Sequence, residues 1–191
     1  MRLTQLPNTI TVLRLILVPV LIALLHRGHY QAAFWLFLVA GLSDGLDGLL
    51  ARRFHWQSHL GGILDPVADK VLMVGMYITL TMLQFLPLWL LLVVVSRDFL
   101  IVGGYLVYTS HRGAVRMQPS VLSKINTAVQ VALLVVVLAE RAALIRVPML
   151  VDFLTYSVAV STVVSGAHYY WWWILRAGIE PASRDVDETK R

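Results

Sequence analysis

Six runs of about 20 predominantly apolar residues divide the chain, at residues 9–27, 31–52, 64–84, 87–110, 119–139 and 147–175. A bilayer core about 30 Å thick is crossed by a helix of about that length, so the pattern predicts an all-α integral membrane protein with six transmembrane helices. Composition agrees: 58% hydrophobic and 14% charged residues stand against about 45–50% and 25% in soluble domains. With no cysteine, a disulfide-stapled secreted fold and thiolate metal sites are excluded, and no low-complexity tract suggests disorder. The connections are short, that between the third and fourth runs being little more than Phe85, Leu86 and Pro87. They leave no room for a second domain, so residues 1–178 are expected to form one membrane domain, followed by a polar, disordered tail at 179–191 that carries Pro181. No small-residue cleavage pattern follows the first run before His26 and Arg27, which marks it as a retained helix.

The basic residues outside the runs orient the helices. Nine lie on the side of the N-terminus (Arg2, Arg52, Arg53, Arg112, Arg116, Arg176, Arg184, Lys190 and Arg191) and three on the other (Arg27, Arg141 and Arg146). Positive loops stay cytoplasmic, so both termini are expected in the cytoplasm. The net charge of +5 is then a topological signal, and nucleic acid, which needs a basic soluble face, is excluded as a partner. The same arginines suit anionic membrane lipids. Tyr169, Tyr170, Trp171, Trp172 and Trp173 read as an interfacial aromatic belt.

Against this background four aspartates are out of place. Asp44 and Asp47 close the second run, and Asp65 and Asp69 open the third. Each would cost about 2.5–3.5 kcal/mol at the centre of a bilayer, so four together demand partners. Asp44 and Asp47 are spaced i, i+3 and share a helix face with Gly48 and Ala51, and Asp65 and Asp69 are spaced i, i+4. Two antiparallel neighbours could bring all four carboxylates to one point. Their mutual repulsion calls for cations, and two divalent ions balance the charge. Oxygen-only ligands favour Mg²⁺ or Mn²⁺, with Ca²⁺ as a surrogate or inhibitor. A pair of such ions about 3.5–4 Å apart clamps a phosphoryl group during displacement.

Nearby residues extend the site. Gly48 and Ala51 leave space for a flat ring or a diphosphate, and Arg52 can fork onto phosphate oxygens. Arg97 and Lys124 are cations inside apolar runs with no structural partner evident in the sequence, and would hold the phosphate of a second substrate. Asp98, beside Arg97, reads equally as a helix–helix tie. Asn8 and Arg14 could either anchor headgroups or line the site. His55 and His59 are expected in a solvated connection, and Gly103 and Gly104 to permit close helix packing.

The run Asp44-x-x-Asp47-Gly48-x-x-Ala51-Arg52, then Gly61, Asp65 and Asp69, resembles in full the signature of the CDP-alcohol phosphotransferase family. Eight fixed positions fall within 26 residues and none is missing. The six-run layout and the opening Leu6-Pro7-Asn8-Thr9-Ile10-Thr11 extend the likeness to eukaryotic-type cardiolipin synthases and, as near relatives, phosphatidylglycerophosphate synthases. The resemblance implies a homodimeric membrane enzyme that moves a phosphatidyl group from CDP-diacylglycerol to an alcohol and releases CMP. It also implies that Asp44, Asp47, Asp65 and Asp69 hold two metal ions, that Asp69 doubles as general base, and that Gly48, Ala51 and Arg52 bind the CDP moiety. Ser96-Arg97-Asp98 and Ser123-Lys124 look closer to the cardiolipin synthases, so phosphatidylglycerol is the expected acceptor and glycerol 3-phosphate the alternative.

No Ser-His or Cys-His constellation argues for a covalent intermediate. A cation transporter is the competing class, since intramembrane acids also mark ion paths. It would call for broken helices at mid-membrane and a repeat between halves, whereas these acids crowd one end and residues 96–191 hold no second copy of the motif. With no transit peptide before the first run, a bacterial inner membrane with a cytoplasm-facing site is expected.

Overall fold

The computed structural model describes residues 6–54, 61–112 and 121–179, and side chains over 14–43, 68–101 and 121–169 and at 103 and 171. The described residues form six α-helices and no strand: α1 (Leu6–His26), α2 (Tyr30–Phe54), α3 (Gly61–Met82), α4 (Leu88–Arg112), α5 (Val121–Arg141) and α6 (Pro148–Ile179). Every helix boundary falls within about 4 residues of the hydropathy pattern, the ordinary margin at helix ends. The last helix runs to Ile179, one residue past the expected limit of 178. Residues 180–191, and with them most of the expected tail, lie outside the described residues, as do His55 and His59.

Three of the connections use one device. Helix α1 ends at Gly28, whose φ of 75° turns the chain while the amides of Gly28 and His29 donate to the carbonyls of Leu25 and Leu24 at 3.1 and 2.9 Å. This is the Schellman arrangement, in which a left-handed residue caps the last carbonyls. Helix α3 ends in the same way at Gln84 (φ 61°) and α5 at Ala143 (φ 56°), with Phe85 and Leu144 donating back to Leu80 and Ala139 at 2.8 and 3.0 Å. The three turns meet: the Phe85 ring packs edge-on against Tyr30 at 5.6 Å and lies under the Arg141 guanidinium at 4.0 Å. A left-handed conformation costs a residue with a Cβ about 1–2 kcal/mol, offset in part by the backbone entropy that glycine loses on folding. Ala143→Gly is therefore expected to stabilise the protein by about 0.5–1 kcal/mol, read as a raised midpoint in a detergent thermal melt.

Contacts are richest between α5 and α6 and between α1 and α3, with α4 on α6 and α2 against both α1 and α5. The shared core holds Leu21, Leu25, Met76, Tyr77, Leu80, Leu133, Leu134 and Leu138, each almost fully buried. In lipid, helices gain little from hydrophobic burial against one another, so close packing decides which surfaces meet. Gly75 shows this between α1 and α3, where an added Cβ would stand 3.3 Å from the Val18 methyl. Gly103, one of the pair expected to perform this service, faces open space instead.

The α5–α6 seam is polar inside the bundle. Asn126 Oδ1 accepts from Ser161 and Thr162 hydroxyls at 2.8 and 2.9 Å, and the Tyr77 hydroxyl donates to the Gln130 carbonyl at 3.3 Å, tying α3 to the seam. Side-chain hydrogen bonds of this kind in membranes contribute about 0.6 kcal/mol each, so the ladder sets register more than stability. The exterior is apolar: Trp35, Leu42, Met82, Phe99, Met149 and Phe153 are all exposed. Among the described residues, Val121–Arg141 and Pro148–Tyr169 are long and apolar enough to cross a membrane.

Candidate active site

The close α1–α3 contact carries the first feature of the site. Arg14 stands one turn before Val18 on α1, and its guanidinium Nη1 donates to Asp69 Oδ1 on α3 as a salt bridge. Arg14 is buried and the Asp69 side chain half-exposed. Both line a cavity of about 450 Å³ between α1, α2, α3 and α5. Arg14, Asp69 and Thr127 are its polar lining, while Phe37, Leu72, Met73 and Val131 are among its apolar walls.

Gly41 also lines this cavity, and a Cβ built on it meets nothing within 4 Å. It precedes Asp44 by three residues on α2, so the two occupy one register line along the helix. Asp44, Asp47, Gly48, Ala51 and Arg52 lie on α2, Asp65 on α3 and Asn8 on α1, but their side chains fall outside the described residues. Among the described residues no three His, Cys, Asp or Glu side chains gather into a metal site. The part that is described fits the expected ions in kind: Asp69, paired through Oδ1 with Arg14, offers partly exposed carboxylate oxygen in the lining of a cavity, the ligand type that hard divalent cations take.

A second charged cluster adjoins the first along α3. Lys70, next to Asp69, forms a salt bridge with Asp98 of α4. Asp98 Oδ1 also accepts from Arg97 Nη1 at 2.9 Å. Arg97 Nη2 donates to the hydroxyls of Ser123 on α5 at 2.7 Å and Ser165 on α6 at 2.9 Å. The same guanidinium lies 6.0 Å from the Tyr169 ring centre, so Tyr169 packs on this cluster where the sequence suggested a belt residue. Arg97 Nε is buried with no hydrogen-bond partner.

Two expectations change here. Arg97, taken to lack a structural partner, has three: Asp98 beside it on α4, and Ser123 and Ser165, which helices distant in sequence deliver. Lys124, taken as a cation within the membrane domain, is exposed on α5; it is the preceding residue, Ser123, that reaches Arg97, since consecutive residues point about 100° apart around a helix. Ser165, Lys70 and Thr127 were given no role from the sequence, and Ser123 entered only as a mark of the likeness to cardiolipin synthases. Lys70 was legible as the neighbour of Asp69, whereas a lone serine in an apolar helix, such as Ser165, carries no signal until its partner is placed.

The chain is 35% identical over 150 residues to the rat cardiolipin synthase (CMP-forming), covering 70% of this chain and 49% of that one. It is 37% identical over 147 residues to the CDP-diacylglycerol–glycerol-3-phosphate 3-phosphatidyltransferase of Pseudomonas fluorescens, covering 73% of this chain and 74% of that one. A probable phosphatidylglycerophosphate synthase of Mycobacterium tuberculosis is 41% identical over 103 residues, covering 51% of this chain and 49% of that one. The chain spans about half the length of most of the curated relatives it matches. A family profile described as CDP-alcohol phosphatidyltransferase matches residues 4–176, which takes in α1 to α5, all but the last three residues of α6 and every signature position, and the chain therefore belongs to the CDP-alcohol phosphatidyltransferase family.

Proposed function

We propose that this protein is an integral membrane enzyme that transfers the phosphatidyl group of CDP-diacylglycerol to phosphatidylglycerol, forming cardiolipin and CMP. The observation that carries this is the placement of Asp69, the last signature position, paired with Arg14 in the lining of a cavity of about 450 Å³ whose walls are mostly apolar. An amphipathic substrate, charged where it reacts and hydrocarbon elsewhere, matches such a cavity. Six spans with both termini in the cytoplasm of a bacterial inner membrane accord with the apolar exterior and with the nine basic residues on one side against three on the other. The homodimer rests on the family resemblance alone.

In this reaction the acceptor hydroxyl oxygen bonds to the phosphatidyl phosphorus, the bond from that phosphorus to the CMP oxygen breaks, and CMP departs with the electron pair. The hydroxyl proton passes to the Asp69 carboxylate, which its contact with Arg14 holds in place. Asp44, Asp47, Asp65 and Asp69 would hold two Mg²⁺ or Mn²⁺ ions. When bound, these supply charge stabilisation to the transferring phosphoryl group and to departing CMP. Gly48 and Ala51 would leave room for the nucleotide, with Arg52 on its diphosphate. Asn8 would line the site from the start of α1. Arg97 would hold the acceptor's phosphate, and Lys124, exposed on α5, would draw it in.

Purified protein given CDP-diacylglycerol with Mg²⁺ or Mn²⁺, and offered phosphatidylglycerol and glycerol 3-phosphate in parallel, decides the acceptor through CMP release and the lipid product. Cardiolipin from phosphatidylglycerol alone is the expected result. Glycerol 3-phosphate remains the second reading because the Pseudomonas relative named for that acceptor is matched over 74% of its length. Activity with neither acceptor would overturn the assignment.

The cavity gives a further prediction. Gly41→Phe is expected to occupy it and lower turnover by about 10-fold on long-chain CDP-diacylglycerol, with partial recovery on a short-chain analogue. Equal loss on both substrates would mean that the cavity holds no acyl chain.

A further inference from the structure

Asp98 does more than close an ion pair. Its carboxylate faces two cations from two helices, Lys70 of α3 and Arg97 beside it on α4. Lys70 follows Asp69, so this one carboxylate links the turn of α3 that bears the proposed base to the guanidinium proposed to hold the acceptor. Contacts between α3 and α4 are otherwise sparse, and the Lys70–Asp98 pair is the ionic link between them among the described residues. Around Arg97 the anchoring is fuller than a counter-charge requires. Nη1 is held by Asp98, and Nη2 by Ser123 and Ser165. The side-chain stem passes Gly166, where an added Cβ would sit 3.6 Å from Cγ.

Even so, Nε keeps a buried hydrogen without an acceptor. An unmade hydrogen bond on a buried charged group is costly, and a guanidinium present only to tie helices together would be expected to fill that donor. A planar fork locked on two of its nitrogens, with the third unfilled, is suited to an anion whose oxygen completes the set after a small local shift.

We propose that Asp98 is a positioning residue for the acceptor: anchored by Lys70, it fixes the Arg97 guanidinium so that Arg97 and Asp69 address one phosphate-bearing alcohol at a set separation. This rests on the acceptor role given to Arg97 under the proposed function. It reaches beyond that role in assigning Asp98 and Lys70, which contact no substrate themselves.

The test compares Asp98→Ala, Asp98→Asn, Lys70→Gln and Arg97→Lys in the purified full chain, measuring KM for the acceptor and for CDP-diacylglycerol separately, with a thermal melt for each. Asparagine keeps an oxygen for Arg97 Nη1 but loses the ion pair, alanine loses both, and Lys70→Gln loses the ion pair alone. Acceptor KM is expected to rise about 10-fold or more in Asp98→Ala and only about 2–3-fold in Asp98→Asn and Lys70→Gln, with the KM for CDP-diacylglycerol within about 2-fold throughout. A residue that merely joins α3 to α4 would give equal effects in all three variants, spread over both substrates and tracking the melt, and that outcome overturns the proposal. So does an acceptor KM unchanged in Asp98→Ala while Arg97→Lys raises it. If Arg97→Lys leaves the acceptor KM unchanged, the acceptor role of Arg97 itself has failed. Should Asp98→Ala not fold, Asp98→Asn against Lys70→Gln still decides: a greater fall in melting temperature and a greater rise in both KM values in Lys70→Gln refutes positioning.

Discussion

Asp69→Asn is expected to lower CMP release by about 10³-fold, within the range that a positioned general base contributes. Asparagine matches aspartate in shape and keeps an oxygen that can accept from Arg14 Nη1, so the α1–α3 contact that places residue 69 at the cavity is retained. What it cannot do is take a proton from the acceptor hydroxyl. Turnover and divalent-ion affinity should be measured together, the latter by Mn²⁺ titration followed by electron paramagnetic resonance. Asp44→Ala is the contrasting variant, and should abolish ion binding along with activity. If Asp69→Asn retained near-normal turnover with metal bound, the base would have to lie elsewhere.

Arg97→Met carries the second large effect, and it acts on the fold as well as on the chemistry. Removing one member of a buried charged set typically costs about 3–5 kcal/mol, because the groups left behind are buried without a partner. Here the loss strips the buried Ser165 hydroxyl of its donor and leaves Asp98 to Lys70 alone. The half-exposed Lys70 can follow Asp98 toward water, which places the expected loss near the lower bound, about 3 kcal/mol. A thermal melt in detergent reads that loss. Activity should fall with phosphatidylglycerol and glycerol 3-phosphate alike, since each presents a phosphate to the missing guanidinium. Retained activity with either acceptor would show that its phosphate is held by another cation.

How much of this was legible in the sequence differs between the helices and the site. Six helices at nearly the observed boundaries followed from the lengths of the apolar runs, because helix formation in an apolar stretch is a local property. The turns were legible only in part. Gly28 is the ordinary residue for a left-handed cap, whereas Gln84 and Ala143 adopt the same conformation without any local preference for it. Family membership was readable from eight side chains within 26 residues, since spacing along two helices preserves chemistry without knowledge of how those helices pack.

By itself the sequence determined the element type, the order of the helices, the acidic run that marks the family and the presence of cations at positions 14, 97 and 124. Only the tertiary structure decided which of those cations meets which acid. Arg14 reaches Asp69 across 55 positions, Arg97 reaches Ser165 across 68, and Lys124 is exposed while its neighbour Ser123 turns inward. Gly75 meets the neighbouring helix closely, whereas Gly103 faces open space. The physical reason is that a helix's face is specified locally, whereas its neighbour is chosen by packing among surfaces of nearly equal hydrophobicity, and in lipid that choice turns on shape and a few hydrogen bonds that one-dimensional spacing does not record.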